Sequence, residues 1–185
     1  EYRNDLAGTP VFSQEQMENI TIDTDWQDII FRTAPNANYE LTANGGNENT
    51  KFFLSGDYFT QDGILIGTDY QRLNGRVNID HNLTEKFTVG ASVGLTYAKT
   101  NRVEGDQTLH GPLPNGISTP AIYPVYNEDG SYNQSGPYSN AVSIANEAIN
   151  QNFSFRTLAN SYLTWHILPR LNLTTKWGAD FLNFR

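Results

Sequence analysis

The amino-acid sequence predicts an all-β protein. It reads as an antiparallel up-and-down meander of about six strands from a large transmembrane β-barrel, with a short helical N-terminal segment and one long loop. Three observations predict it. Residues 71–100 alternate apolar and polar side chains with a period of two. The connections between strands sort by length, and the aromatic residues fall into two bands.

The alternation is clearest around the polar turn "NLTEK". Before it, Leu73, Val77 and Ile79 share one side, while Arg72, Asn74, Arg76, Asn78 and Asp80 share the other. After it, Phe87, Val89, Ala91, Val93, Leu95 and Tyr97 form one row, and Thr88, Gly90, Ser92, Gly94, Thr96 and Ala98 form the opposite row. Successive side chains of a strand point to opposite faces, so each run has an apolar face and a polar face.

The elements follow in order. Residues 1–37 form an irregular, partly helical lead-in. Ser13, with Gln16 three residues later, matches a capping box and predicts a helix over 13–19. Residues 23–32, "DTDWQDIIFR", predict a second helical turn capped by Thr24 or Asp25 and ended by Pro35. Four strands then occupy residues 38–100. The first, over 38–44, aligns Tyr39, Leu41 and Ala43, and Gly45 and Gly46 after it are free to take positive φ. The second, over 51–59, aligns Phe52, Leu54 and Tyr58. The third covers 70–82 and the fourth 87–100. Residues 101–151 form the long loop, rich in proline and glycine. Two strands close the chain within 152–185: one over 152–166, and one over 171–184 that aligns Leu171, Leu173, Trp177, Ala179 and Phe181.

Short turns join the first strand to the second, the third to the fourth, and the fifth to the sixth. The other two connections are longer, so a meander places all short turns at one end and both long loops at the other. Outer-membrane barrels show this asymmetry, with the long loops outside the cell. Phe52, Phe87 and Trp165 fall near the short-turn end, and Tyr58, Tyr97 and Phe181 near the long-loop end. Such bands are what membrane interfaces select. The row Phe87, Val89, Ala91, Val93, Leu95 and Tyr97 is therefore expected to face lipid, and the opposite row a wet lumen. A half-exposed sheet in a soluble protein would show the same alternation; the loop sorting and the aromatic bands favour the barrel.

Composition narrows the function. Hydrophobic residues make up 38% and charged residues 17%, both below the usual soluble range, while aromatics reach 12%. The formal charge is −8 and the isoelectric point about 4.7, which argues against nucleic-acid binding. There is no polybasic segment for anionic lipid. Cys is 0, which excludes disulfides and thiolate chemistry. The start, "EYRNDLAGTP", is not a signal peptide, and no apolar run is long enough for a transmembrane helix. The chain is expected to be a piece of a longer protein.

No catalytic, metal or cofactor site is expected. His81, His110 and His166 lack ligand spacing, and His81 and His166 read as polar rim residues. "YNEDGSYN" misses the calcium-loop pattern, and Asp129-Gly130 suits a hairpin turn. Asp23, Asp25 and Asp28 around Trp26 could suggest a carboxylate pair, but charge at a helix start accounts for them. No serine sits in a nucleophile elbow. Tyr123, Tyr126, Tyr132 and Tyr138, amid amides in the long loop, are candidate contacts for a sugar ligand or for a protein lid.

The stretch from Thr24, "TDWQDIIFRTAPNANYELTANGGNENTKFFLSGDYFTQDGILIGTDYQRLNGRVNIDHNLTEKFTVG", resembles the SusC/RagA family of TonB-linked outer-membrane transporters. "TDWQD", "ANGGNENT", "FFLSGDYFTQDGI" and "YQRLNGRVNIDHNLTEKFTVG" carry the match as a set, and "YPVYNEDGSY" adds a weaker piece. Asp57 departs from it, standing where a glycine is expected. The resemblance implies a barrel of about twenty-two strands around an N-terminal plug. It implies import of glycans or peptides across the outer membrane of a Gram-negative bacterium, a SusD-like lipoprotein as partner, and energy from the TonB complex. By this resemblance the chain is an early barrel segment following the plug, with neither plug nor TonB box, so coupling residues cannot be placed. The competing class is a soluble β-sandwich that binds glycans, which would need a second sheet over the Phe87–Tyr97 row. The isolated fragment is expected to self-associate.

Overall fold

The computed structural model describes residues 13, 15, 18, 20–103, 110–148 and 150–185. They fall into two compact units. Thr33–Arg102 and Asn150–Arg185 make one; Glu1–Arg32 and Val103–Ile149 make the other.

The first unit is a single sheet. Its strands are β1 (Asn36–Gly46), β2 (Thr50–Asp62), β3 (Asp69–Thr84), β4 (Phe87–Arg102), β5 (Asn150–Leu168) and β6 (Leu171–Phe184). They lie in sequence order, each antiparallel to the next, with β1 and β6 as open edges. This is the expected meander. Most strands run a few residues past the alternating runs, because pairing continues through neutral polar residues that the hydrophobic pattern does not mark. Thr60 and Gln61, for example, pair with Gln71 and Tyr70.

The turns are held by side chains. At 47–49, the Asn47 side-chain oxygen accepts from the backbone N–H of Asn49 at 2.9 Å and of Thr50 at 2.8 Å. Gly46 alone of the expected pair takes a positive φ; Gly45 stays in the ladder opposite Phe52. At 85–86, the Thr84 hydroxyl accepts from the N–H of Lys86 and of Phe87, each at 3.2 Å. These are Asx and ST turns, in which the side chain replaces a backbone partner. The register shifts by one beside two of the turns, at Asn82/Thr84 and at His166/Leu168.

The register carries one apolar row across all six strands. Ala43, Leu54, Val77, Val93, Ala159 and Ala179 are successive cross-strand partners. No second sheet covers this row among the described residues: Val93 is 39% exposed, Leu95 44% and Trp177 56%.

Among the described residues the second unit has three short helices: α1 (Trp26–Ile30), α2 (Pro112–Ser118) and α3 (Ala141–Glu147). Asp25, not Thr24, caps α1, accepting from Gln27 and Asp28. The sequence shows no link between the lead-in and the long loop, but residues 20–32 pack against residues of 112–145. The Thr24 N–H donates to the Ala121 carbonyl at 2.8 Å, and Trp26, Ile30, Val125, Ala141, Val142 and Ala145 form a small core. Neither α2 nor α3 is apparent from the sequence. "GPLPNGIS" looks like a run of breakers, yet Pro112 and Pro114 occupy the first turn, where a missing N–H costs nothing. Asn140 caps α3 while its amide donates to the carbonyls of Val125 at 2.7 Å and Asn133 at 3.0 Å. The expected helix over 13–19 falls outside the described residues, apart from Ser13, Glu15 and Glu18.

An open meander with a bare apolar face should not stay dispersed in water. Each large side chain on that face forgoes up to about 1.5–3 kcal/mol of burial, and two edges lack partners. The purified 185-residue chain, without detergent, is expected to scatter light as oligomers and to become smaller when detergent is added. A monomer of unchanged size in both conditions would refute this.

Candidate functional site

The polar face of the sheet is a network, not a row of separate side chains. β3 presents Arg72, Asn74, Arg76, Asn78 and Asp80 there, as the alternation requires. Asp57 on β2 accepts from the Asn74 amide at 2.9 and 3.0 Å and pairs with the Arg72 guanidinium at 3.5 Å. That guanidinium also lies 5.6 Å from the centre of the Phe59 ring. The Ser92 hydroxyl donates to the Asn78 side-chain oxygen at 2.6 Å. Arg156 on β5 grips Asp180 on β6 through two hydrogen bonds, at 2.9 and 2.6 Å.

One contact spans three strands. Asp80, Gly90 and Tyr162 are register partners on β3, β4 and β5. The Tyr162 ring lies across Gly90, and its hydroxyl donates to the Asp80 carboxylate at 2.6 Å. A Cβ at position 90 would sit 2.0 Å from the Tyr162 ring and 2.6 Å from that carboxylate, so only glycine permits the crossing.

The apolar face has the opposite chemistry. Phe87, Val89, Ala91, Val93, Leu95 and Tyr97 all lie on it. Phe87 stacks on Trp165 near the short turns, with ring centres 6.0 Å apart. Tyr97 stacks on Phe153 near the long loops at 6.4 Å. Between these aromatic rows the face has no charged side chain. Glu40, Asp57, Arg72, Arg76, Arg156 and Asp180 are all on the polar face.

The four loop tyrosines divide into pairs. Tyr126 and Tyr132 face each other across an antiparallel bridge with ring centres 5.4 Å apart. The Tyr132 hydroxyl accepts from the Asn146 amide at 3.1 Å. Tyr123 and Tyr138 both border Gly136. Between Tyr126 and Tyr132 the chain makes the expected tight turn at Asp129-Gly130, with Gly130 at φ +83°, a left-handed conformation that favours glycine. The Ser131 hydroxyl and then its N–H donate to Asp129 and hold that carboxyl below its usual range. Of the histidines, His81 is hydrogen-bonded to Thr50 at 2.8 Å, and His166 to Thr88 at 3.2 Å and Asn172 at 2.9 Å, all at the short-turn end. No group of three His, Asp or Glu among the described residues could hold a metal ion.

No family model matches the chain. Individual proteins do. The chain is 32% identical over 166 residues to TonB-dependent receptor P26 of Formosa agariphila, and 29% over 169 residues to receptor P3 of the same organism. Each match takes in 86% of this chain. TonB-dependent receptor SusC of Bacteroides thetaiotaomicron is 28% identical over 150 residues, 76% of the chain. The chain belongs to the SusC/RagA family of TonB-dependent receptors. It spans 16%, 17% and 14% of the length of these relatives, in that order. The same fold is found in the structure of the RagAB peptide transporter, with a TM-score of 0.72 at 24% identity over 89% of this chain and 19% of that one. It is found again in the "open-open" state of the RagAB peptide importer, with a TM-score of 0.75 at 18% identity over 98% of this chain and 24% of that one.

Charge is unevenly divided in this family segment. The helical unit has twelve acidic and two basic residues, a formal charge of −10. The sheet unit has eight acidic and ten basic residues, a formal charge of +2.

The crossing over Gly90 yields a test. Gly90→Val is expected to cost about 1–3 kcal/mol by overpacking in the full-length receptor, and Tyr162→Ala less than that. In the double variant most of the Gly90→Val cost should vanish, because the obstructing ring is gone. Urea titrations in detergent measure all three, and strictly additive costs would refute the crossing.

Proposed function

We propose that the chain is part of an outer-membrane active importer, with its apolar face against lipid and its polar face lining the lumen. One observation carries the reading. The face that has no charged side chain between two aromatic rows is also the face left bare. From Phe87 to Tyr97 a strand advances ten residues at about 3.3 Å each. At a tilt of about 40° that projects to roughly 25 Å, the height of the apolar band of outer-membrane barrels. In lipid every backbone polar group needs an internal partner, and strands closed into a barrel provide it. The long relatives leave room for the further strands that closure requires.

The rest of the proposal leans on the relatives. Energy would come through TonB, as the names of the related receptors suggest. A SusD-like surface lipoprotein would be the partner. The substrate would be a glycan or a peptide; the RagAB neighbour is a peptide transporter. The segment 103–149 would lie outside the cell, where Tyr123, Tyr126, Tyr132 and Tyr138 could meet substrate or lid. Tyr126 and Tyr138, 51% and 44% exposed, are the better placed. The alternative of a soluble glycan-binding sandwich needs a covering sheet, and the uncovered row weighs against it.

Two measurements test the reading. An epitope inserted at Asn127 of the full receptor should be labelled on intact cells, and one at Thr84 only after permeabilisation; the reverse pattern would overturn the topology. Val93→Arg should cost about 2–4 kcal/mol in folding titrations into lipid, because it brings charge to mid-bilayer. Ser92→Arg, one residue away on the other face, should be mild. Equal costs would mean that the faces are misassigned.

A further inference from the structure

The apolar face becomes charged at its long-loop end. One row of register partners crosses it there: Thr60, Gln71, Lys99 and Phe153, on β2 to β5. Arg185, just past β6, extends the row. Its N–H donates to the Phe153 carbonyl at 2.9 Å, and the Phe153 N–H donates back to its carbonyl at 2.8 Å. Lys99 and Arg185 are therefore on the same side of the sheet as Tyr97, with Phe153 between them. Every other lysine and arginine within the six strands is on the polar face. Both cations are unspent. The Lys99 ammonium lies 5.9 Å from the centre of the Phe153 ring, which also stacks on Tyr97. Neither Lys99 nor Arg185 has a carboxylate partner among the described residues. Asp69, diagonal to Lys99 in the ladder, accepts from the Asn101 amide instead.

Position decides what can pair with them. Lys99 is two residues beyond Tyr97, about 7 Å further along the strand. At a tilt of about 40° that is roughly 5 Å higher, just outside the hydrocarbon and within the headgroup layer. Neighbouring strands are about 4.8 Å apart, so the backbones at Lys99 and Arg185 are roughly 10 Å apart. Two long side chains can close that gap over one phosphate while their stems stay on apolar surface. A metal ion has the wrong charge, and a neutral sugar leaves both cations unpaired. An acidic protein segment meets the cations but has no use for the apolar rows directly below. An anionic lipid matches both parts of the surface, with its phosphate on the cations and its tails on the rows of Val93 and Leu95.

We propose that Lys99 and Arg185 hold the phosphate of an anionic lipid headgroup at the long-loop rim of the sheet, over the Phe153 ring. The carboxylates of Asp62 and Asp69 sit one row higher on β2 and β3, on the side of Lys99 away from Arg185. The proposal rests on the reading that the apolar face meets lipid, and its test separates the two.

The test uses the full-length receptor with a bimane label on Gln71→Cys, beside Lys99 in the row, reconstituted in phosphatidylcholine vesicles. The label is quenched by lipids that carry a nitroxide high on the acyl chain, either phosphatidic acid or phosphatidylcholine at equal mole fraction. Phosphatidic acid is expected to be preferred on the order of twentyfold at low salt, about fivefold from each cation. Lys99→Gln and Arg185→Gln should each lower that preference about fivefold. Lys176→Gln, which removes the same charge from the polar face, should change it by less than about twofold. Equal quenching by the two lipids would overturn the proposal and leave the lipid-facing reading intact. No quenching by either would mean that protein covers the row, and would overturn both. A loss from Lys176→Gln equal to that from Lys99→Gln would mean diffuse attraction, and would overturn the proposal as well.

Discussion

Everything in the sheet depends on strand register. Side chains alternate with a period of two, so a slip of one residue exchanges the faces of a whole strand. Were β3 to slip against β4, Arg72, Arg76 and Asp80 would join the row that now holds Val93 and Leu95. On a lipid-exposed face each basic residue would then cost about 2–4 kcal/mol at mid-bilayer. The structure guards against this in two ways. Thr84 and Asn47 fix where turns begin by capping the backbone amides that follow. Tyr162–Asp80, across β4, and Arg156–Asp180, on the diagonal between β5 and β6, then lock the register, because neither pair can form one residue out of step. The same polar network that pairs the charges of one face thus keeps the other face free of them.

The two units solve different problems. The sheet has little to bury within itself, and its apolar row is left for an outside solvent. The helical unit has a core of its own, small but closed around Ile30, Val125, Ala141 and Val142. Asn140 is the joint of that core. Only 2% exposed, it uses its side-chain oxygen on two helix amides and its side-chain nitrogen on two carbonyls of the preceding turns. A buried amide is tolerated there because its bonds are made. It spares α3 the need for a larger hydrophobic face.

What the sequence disclosed follows from which forces are local. Alternation within one strand is a property of neighbouring residues, so the six strands, their faces and the order of the meander could be read directly. The aromatic bands were legible for the same reason. Cross-strand partners were not. Nothing near Asp80 in sequence points to Tyr162, which lies 82 residues away and meets it only because β4 places Gly90 between them. Phe53, Phe59 and Tyr162, aromatics on the polar face, escaped a reading that sorted aromatics by bands alone. In the long loop the obstacle was different. Pro112, Pro114 and Gly116 are helix breakers by propensity, yet a first turn accepts prolines, and Gly116 lets the Ile30 side chain lie against α2. Tertiary packing decided those elements.

Asp57 shows how such a framework absorbs change. It stands where the family resemblance leads one to expect glycine, and it lies directly opposite Glu40 on β1. Like charges across a strand pair are unfavourable, so a carboxylate there needs compensation. Arg72 supplies the counter-charge and Asn74 two hydrogen-bond contacts, while the guanidinium also lies over the Phe59 ring. These neighbours come from the same face of β2 and β3, and none is displaced into the apolar row. A new charge on the polar face can therefore be neutralised by residues already facing it, whereas the Val93 row contains nothing that could do the same. That asymmetry lets the polar face vary in charge while the bare face, between its aromatic rows, stays free of Asp, Glu, Lys and Arg.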